Sequence, residues 1–102
     1  PGLQSRFTRM VYFMDYSIRE LEDIFDSIMR EYQFFFGRGA RQKLHNILIE
    51  RLKNRDANFG NGRYIRNIFE NAIQEQALRL VRIINPTTRQ LCTITAQDIQ
   101  AL

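Results

Sequence analysis

Little in this chain of 102 residues could be cross-linked, metallated or threaded through a bilayer. The one cysteine, Cys92, leaves no internal disulfide to form, a usage that fits a reducing compartment such as the cytoplasm. The one histidine, His45, has no cysteine or second histidine near it, so the ligand spacing of a zinc site is missing and no metal site is expected. No apolar run approaches the roughly 20 residues that span a membrane. The first residues mix polar and apolar side chains and lack the apolar core of a secretory signal. Tryptophan is absent, and no repeat, low-complexity tract or linker is visible. Charge of one sign is also in short supply. A net +4 with a pI near 9.7 suits nucleic acid, nucleotide phosphates, an acidic partner or plain solubility, and is too small to choose among them.

What is present is ordinary globular material: 44% hydrophobic, 25% charged and 12% aromatic residues, enough for one domain with a modest core. Met10–Met14 (MVYFM) reads as a short strand buried on both faces. Ser17 and Glu20 form a Ser-x-x-Glu capping box, and Leu21, Ile24, Phe25, Ile28, Met29 and Tyr32 follow at helical spacing. That helix should end near Phe34–Phe36, before Gly37 and Gly39. A second helix is expected from about Ala40 to Lys53, with Ala40, Leu44, Ile47, Leu48 and Leu52 inward. After a polar loop over Asn54–Gly62, a third carries Ile65, Ile68, Phe69, Ala72, Ile73, Gln76, Ala77 and Leu80 in one stripe. Asn85-Pro86 stops it. Leu91–Ile94 suggests a short strand, and Thr95 with Asp98 a capped final turn.

The third helix opens oddly. In "FGNGRYIRN" (59–67), Arg63 and Arg66 fall within the first turns, where the helix dipole disfavours cations by about 0.3–1 kcal/mol. Arg66 has Glu70 four residues on, a cheap surface ion pair. Arg63 has Asn67 there and no acid within one turn. Free N–H groups at the helix start and the Arg63 guanidinium could converge on one oxyanion such as a phosphate; a solvated surface arginine is the alternative. Arg79 and Arg82 lie near the other end, where the dipole favours them. At the chain start, "PGLQSRFTRMVYF" sets Ser5-Arg6-Phe7 in a turn just before the buried strand.

The order of these pieces is specific. "PGLQSRF", the strand, "DY", a capped helix and then "NFGNGRYIRNIFENAIQEQALRL" closely resemble the C-terminal part of AAA+ ATPases. The nearest branch contains the rubisco-activase-like CbbX proteins and stage V sporulation protein K. The resemblance runs to "ITAQDI" and is weakest at "FFFGRGARQK". It implies that Arg6 is an arginine finger reaching a neighbouring subunit's nucleotide. It likewise implies that Arg63 is sensor 2, facing the γ-phosphate of its own subunit's ATP, with Gly60, Asn61 and Gly62 as the turn before it. Arg66 takes a structural or secondary role.

Against the family pattern, the chain lacks a G-x-x-x-x-G-K-[ST] phosphate loop. The nearest stretch, "GRGARQK" from Gly37, has Gln42 in place of the second glycine and Leu44 in place of the hydroxyl residue. No strand with paired acids for magnesium is present either. The fold implied is mainly α: a small helical bundle, the lid (17–102), preceded by a strand remnant of the α/β ATPase core (1–16). ATP and magnesium are implied for a longer parent, with no cofactor held tightly by these residues alone and no hydrolysis by them. Implied partners are the parent's own large domain, identical subunits in a ring, commonly hexameric, and a protein to be remodelled. A nucleic-acid-binding helical module or a plain protein-interaction bundle is the alternative; arginines scattered among acids argue against the former. Of the smaller signals, Phe34–Phe36 either cap the bundle or cover a neighbouring domain. The Arg38–Lys43 cluster reads as a solvated helix start, His45 as a surface or boundary residue, and Cys92 as a small apolar strand residue.

Overall fold

The computed structural model describes residues 16–53 and 62–102; the expected strand at 10–14 lies outside them. Helix α1 (Ile18–Glu31) begins as its sequence dictates. The Glu20 N–H donates to Ser17 Oγ at 3.1 Å, and the Ser17 N–H donates to Glu20 Oε1 at 2.9 Å. These two bonds satisfy donors that helix starts otherwise leave orphaned. Leu21, Phe25, Ile28 and Met29 form the buried stripe.

The helix stops earlier than the aromatic run suggested. Gln33 adopts φ 62°, its N–H donates to Arg30 O, and the Phe34 N–H reaches back to Met29 O at 2.8 Å. That pair of reversed bonds is a Schellman closure, which caps the last carbonyls and turns the chain away. Phe35–Phe36 then form strand β1. Alternation along the extended chain sends Phe34 and Phe36 against the core and leaves Phe35 67% exposed. The Phe25 ring stacks on Phe36 at 5.7 Å and meets Phe69 edge-on at 5.8 Å, and Phe34 meets Phe69 edge-on at 6.1 Å.

Helix α2 (Ala40–Lys53) has the expected span, and Ala40, Leu44 and Leu48 are buried, but Leu52 in its last turn is exposed. Two side-chain bonds, four residues apart on α2, tie it to α1. Arg41 grips Asp26 through both oxygens at 2.8 and 3.1 Å while lying 4.6 Å over the Phe36 ring, and His45 Nδ1 lies 2.6 Å from Glu22 Oε2. The basic start of α2 is therefore partly engaged in packing.

Helix α3 (Gly62–Leu80) is the spine, burying Ile65, Ile68, Phe69, Ala72, Gln76 and Leu80, with Ala77 turned outward. It ends at Leu80, ahead of Pro86, as the Arg82 and Ile83 N–H groups shift to carbonyls three residues back. A second capping box, Thr87 with Gln90, opens the short helix α4 (Thr88–Cys92). Leu91 and Cys92 are thus helical, and strand β2 is only Thr93–Ile94. It pairs parallel with β1, Phe35 beside Thr93 and Phe36 beside Ile94. Gly37 allows this approach: its N–H bonds Ile94 O at 2.7 Å, and a Cβ there would sit 3.1 Å from Thr93 Cγ2. Ile94 and Ile99, fully buried, close the core that α1, α2 and α3 leave open at one side.

Candidate functional site

Of the residues singled out from sequence, Arg6, Gly60 and Asn61 lie outside the described residues. Gly62 is the first residue of α3, and a Cβ there would meet nothing within 4 Å, so close packing does not demand glycine at that position. Arg63 and Arg66 occupy the first turns of α3, both exposed. No acid lies in that first turn, so nothing on the helix itself offsets its positive end. Neither guanidinium bonds to any described residue, and the expected pair between Arg66 and Glu70 is not formed. With arginine N-terminal to the acid the geometry is the poorer orientation, worth only a few tenths of a kcal/mol against full hydration. Two cations thus project from a helix start that already favours anions.

Beside them, Tyr64 turns toward α2, where the Arg51 guanidinium lies 5.2 Å over its ring. Both line a cavity of about 460 Å³ with Lys43, Glu50 and Leu102. This end of α3 is where the chain could receive an anion from outside. Among the described residues no group of His, Cys, Asp or Glu could hold a metal, and no helix is long and apolar enough to cross a membrane.

The other end of α3 carries a polar cluster of which the sequence reading foresaw only the Thr95–Asp98 cap. Asp98, 1% exposed, accepts from Arg79 Nε at 3.0 Å and Arg79 Nη2 at 2.8 Å, and from the Thr95 N–H at 2.9 Å. Burial alone would raise the Asp98 carboxyl, but the hydrogen bonds from Arg79 and Thr95 outweigh it and hold the group below its usual range. The Arg79 guanidinium is raised in turn, chiefly by its hydrogen bond to Asp98. One turn earlier, Gln76 Nε2 donates to Leu91 O at 3.0 Å and Thr93 O at 2.9 Å. Arg79 is thus a strut for the C-terminal segment and does more than complement the helix dipole. The signal available in sequence was a glutamine on the apolar stripe with an arginine three residues on.

Comparison with known proteins identifies the family. The AAA lid domain family matches residues 17–102. Stage V sporulation protein K of Bacillus subtilis is 35% identical over 100 residues, an overlap covering 97% of this chain and 31% of that protein. The plasmid-encoded protein CbxX of Cupriavidus necator is 34% identical over 103 residues, covering 99% and 32%. ESX-3 secretion system protein EccA3 of Mycobacterium leprae is 31% identical over 116 residues, covering 97% and 18%. The chain therefore spans a third or less of the length of these relatives. With a family match over most of its length and a helical bundle to go with it, the chain belongs to the AAA lid domain family.

Proposed function

We propose that this chain is the lid of an AAA+ ATPase, residues 17–102, joined to the last edge of that enzyme's large domain, residues 1–16. The observation that carries the reading is Arg63: exposed, bonded to no described residue, and seated at an acid-free helix start in a lid-family domain. There it would act as sensor 2, bonding the γ-phosphate of ATP held by its own subunit, with Gly60, Asn61 and Gly62 leading into its helix and Arg66 supporting from the next turn. Arg6 would serve the adjacent subunit as arginine finger. A guanidinium delivered in this way stabilises charge on the transferring phosphoryl oxygens, and in GTPases it is worth about 10³–10⁵ in rate.

Arg63 and Arg66 would supply cations to the phosphate, while magnesium and the phosphate loop would come from the rest of the protein. Bound to its large domain, the lid would rock as nucleotide is turned over and pass that motion around a ring, commonly a hexamer, that remodels a protein. Neighbouring identical subunits are required, because a finger acts across a boundary.

The experiment mixes subunits of the full parent protein. Arg6→Ala subunits combined with subunits of disabled phosphate loop should regain hydrolysis, since some boundaries pair an intact loop with an intact finger. Arg63→Ala subunits combined with the same loop mutant should regain none, because both lesions sit in their own subunit's site. Equal rescue by both, once subunit exchange is shown, overturns the assignment of Arg63. Full activity of Arg63→Ala alone removes it from the site.

A further inference from the structure

A second cavity, of about 570 Å³, opens between the end of β1 and helix α4, lined by Phe35, Phe36, Arg38, Thr88, Arg89 and Cys92. Its chemistry is one-sided. Phe35 shows two-thirds of its surface to solvent, and Leu91, three residues past Thr88 on α4, shows half. The charged lining residues are Arg38 and Arg89; no Asp or Glu lines the groove. Neither guanidinium bonds to any described residue, although Arg41 and Arg79 nearby in sequence each found an acid. An aromatic beside two unneutralised planar cations is the composition of a recognition surface.

We propose that this groove docks an acidic peptide segment of a partner protein, one carrying a large apolar side chain among its carboxylates. The apolar side chain would lie against Phe35 and the groove floor, and the flanking carboxylates would pair with Arg38 and Arg89. A volume of this size accommodates one or two side chains. Single-stranded nucleic acid would use the same ring and cations, but a phosphate track requires a run of basic residues, and this groove offers two. The proposal uses no residue assigned to nucleotide and stands or falls independently of that reading.

The chain supplies its own reporter, because its one cysteine lines the groove. A fluorescent octapeptide of aspartates and glutamates around a central Phe-Leu should bind the 102-residue chain with a Kd of about 10–100 µM by anisotropy. It should also slow alkylation of Cys92 as the groove fills. The Arg38→Glu/Arg89→Glu double variant should weaken binding about tenfold or more, Phe35→Ala by about tenfold, and raising salt from about 50 to 300 mM should weaken it further. All three residues are exposed, so the variants should melt like the parent sequence, which circular dichroism verifies. Absence of binding, or binding unchanged in these variants, overturns the proposal. So does tighter binding of oligothymidine, which would make the groove a nucleic-acid site, or self-association abolished by Phe35→Ala, which would make it a contact between copies.

Discussion

Among single residues, Asp98 has the most to lose. Its carboxylate is buried against Arg79, and breaking such a pair from one side costs about 3–5 kcal/mol where burial is complete. Arg79 is a quarter exposed and can recover some hydration, so Asp98→Asn should cost about 2–4 kcal/mol in urea denaturation at pH 7. The pH dependence has a definite sign. A carboxyl held below its unfolded value of about 3.9 contributes stability above that pH and loses it as pH falls through the lower folded value. The gap in stability between the native sequence and Asp98→Asn should therefore narrow as pH drops from about 5 toward 2. A gap that stays constant would mean the carboxylate is not the source. Arg63 is the opposite case, a charge whose value to the fold is near zero. Arg63→Ala should shift stability by less than about 0.5 kcal/mol in the same assay, as for any exposed side chain that packs against nothing.

Several elements with local causes were legible in the sequence, though α4 was not, despite its local Thr87–Gln90 capping box. The span of α2, the Ser17–Glu20 box and the stripe of α3 follow from spacing alone. The end of α1 was misread because its closing residue is Gln33, where a glycine would ordinarily announce the turn. Strand β1 was hidden because its partner is β2, far along the chain, and two-residue strands carry too little alternation to be seen. The Gln33 reading has a direct check. A non-glycine residue at positive φ carries roughly 1 kcal/mol of strain, and Gln33 is exposed. Gln33→Gly should accordingly raise stability by about 0.5–1 kcal/mol in thermal or urea melts, while the same change at Gln42, inside α2, should lower it by a similar amount.

At the scale of the molecule, the exposed, acid-free start of α3 at Arg63 was legible because an arginine without an acid at a helix start is a local oddity. The Arg79–Asp98 strut was not, since nothing in the spacing of two residues on separate elements says that they meet. That strut, with Ile94 and Ile99, makes the last segment part of the core. Deleting residues 93–102 should therefore abolish the cooperative melting transition, where trimming an ordinary frayed end would only shift it. Retained cooperativity would show that α1, α2 and α3 are a sufficient fold. The parallel pairing of β1 with β2 also has a consequence for the chain as it is made. Residue 35 must wait for residue 93, a closure over about 60 residues whose entropic cost is roughly 3–4 kcal/mol by loop scaling. On the ribosome, all three long helices emerge before the segment that completes them. Until then Phe25, Phe36 and Phe69 lack their final cover, so the nascent chain passes through an interval in which a chaperone can read it as unfinished.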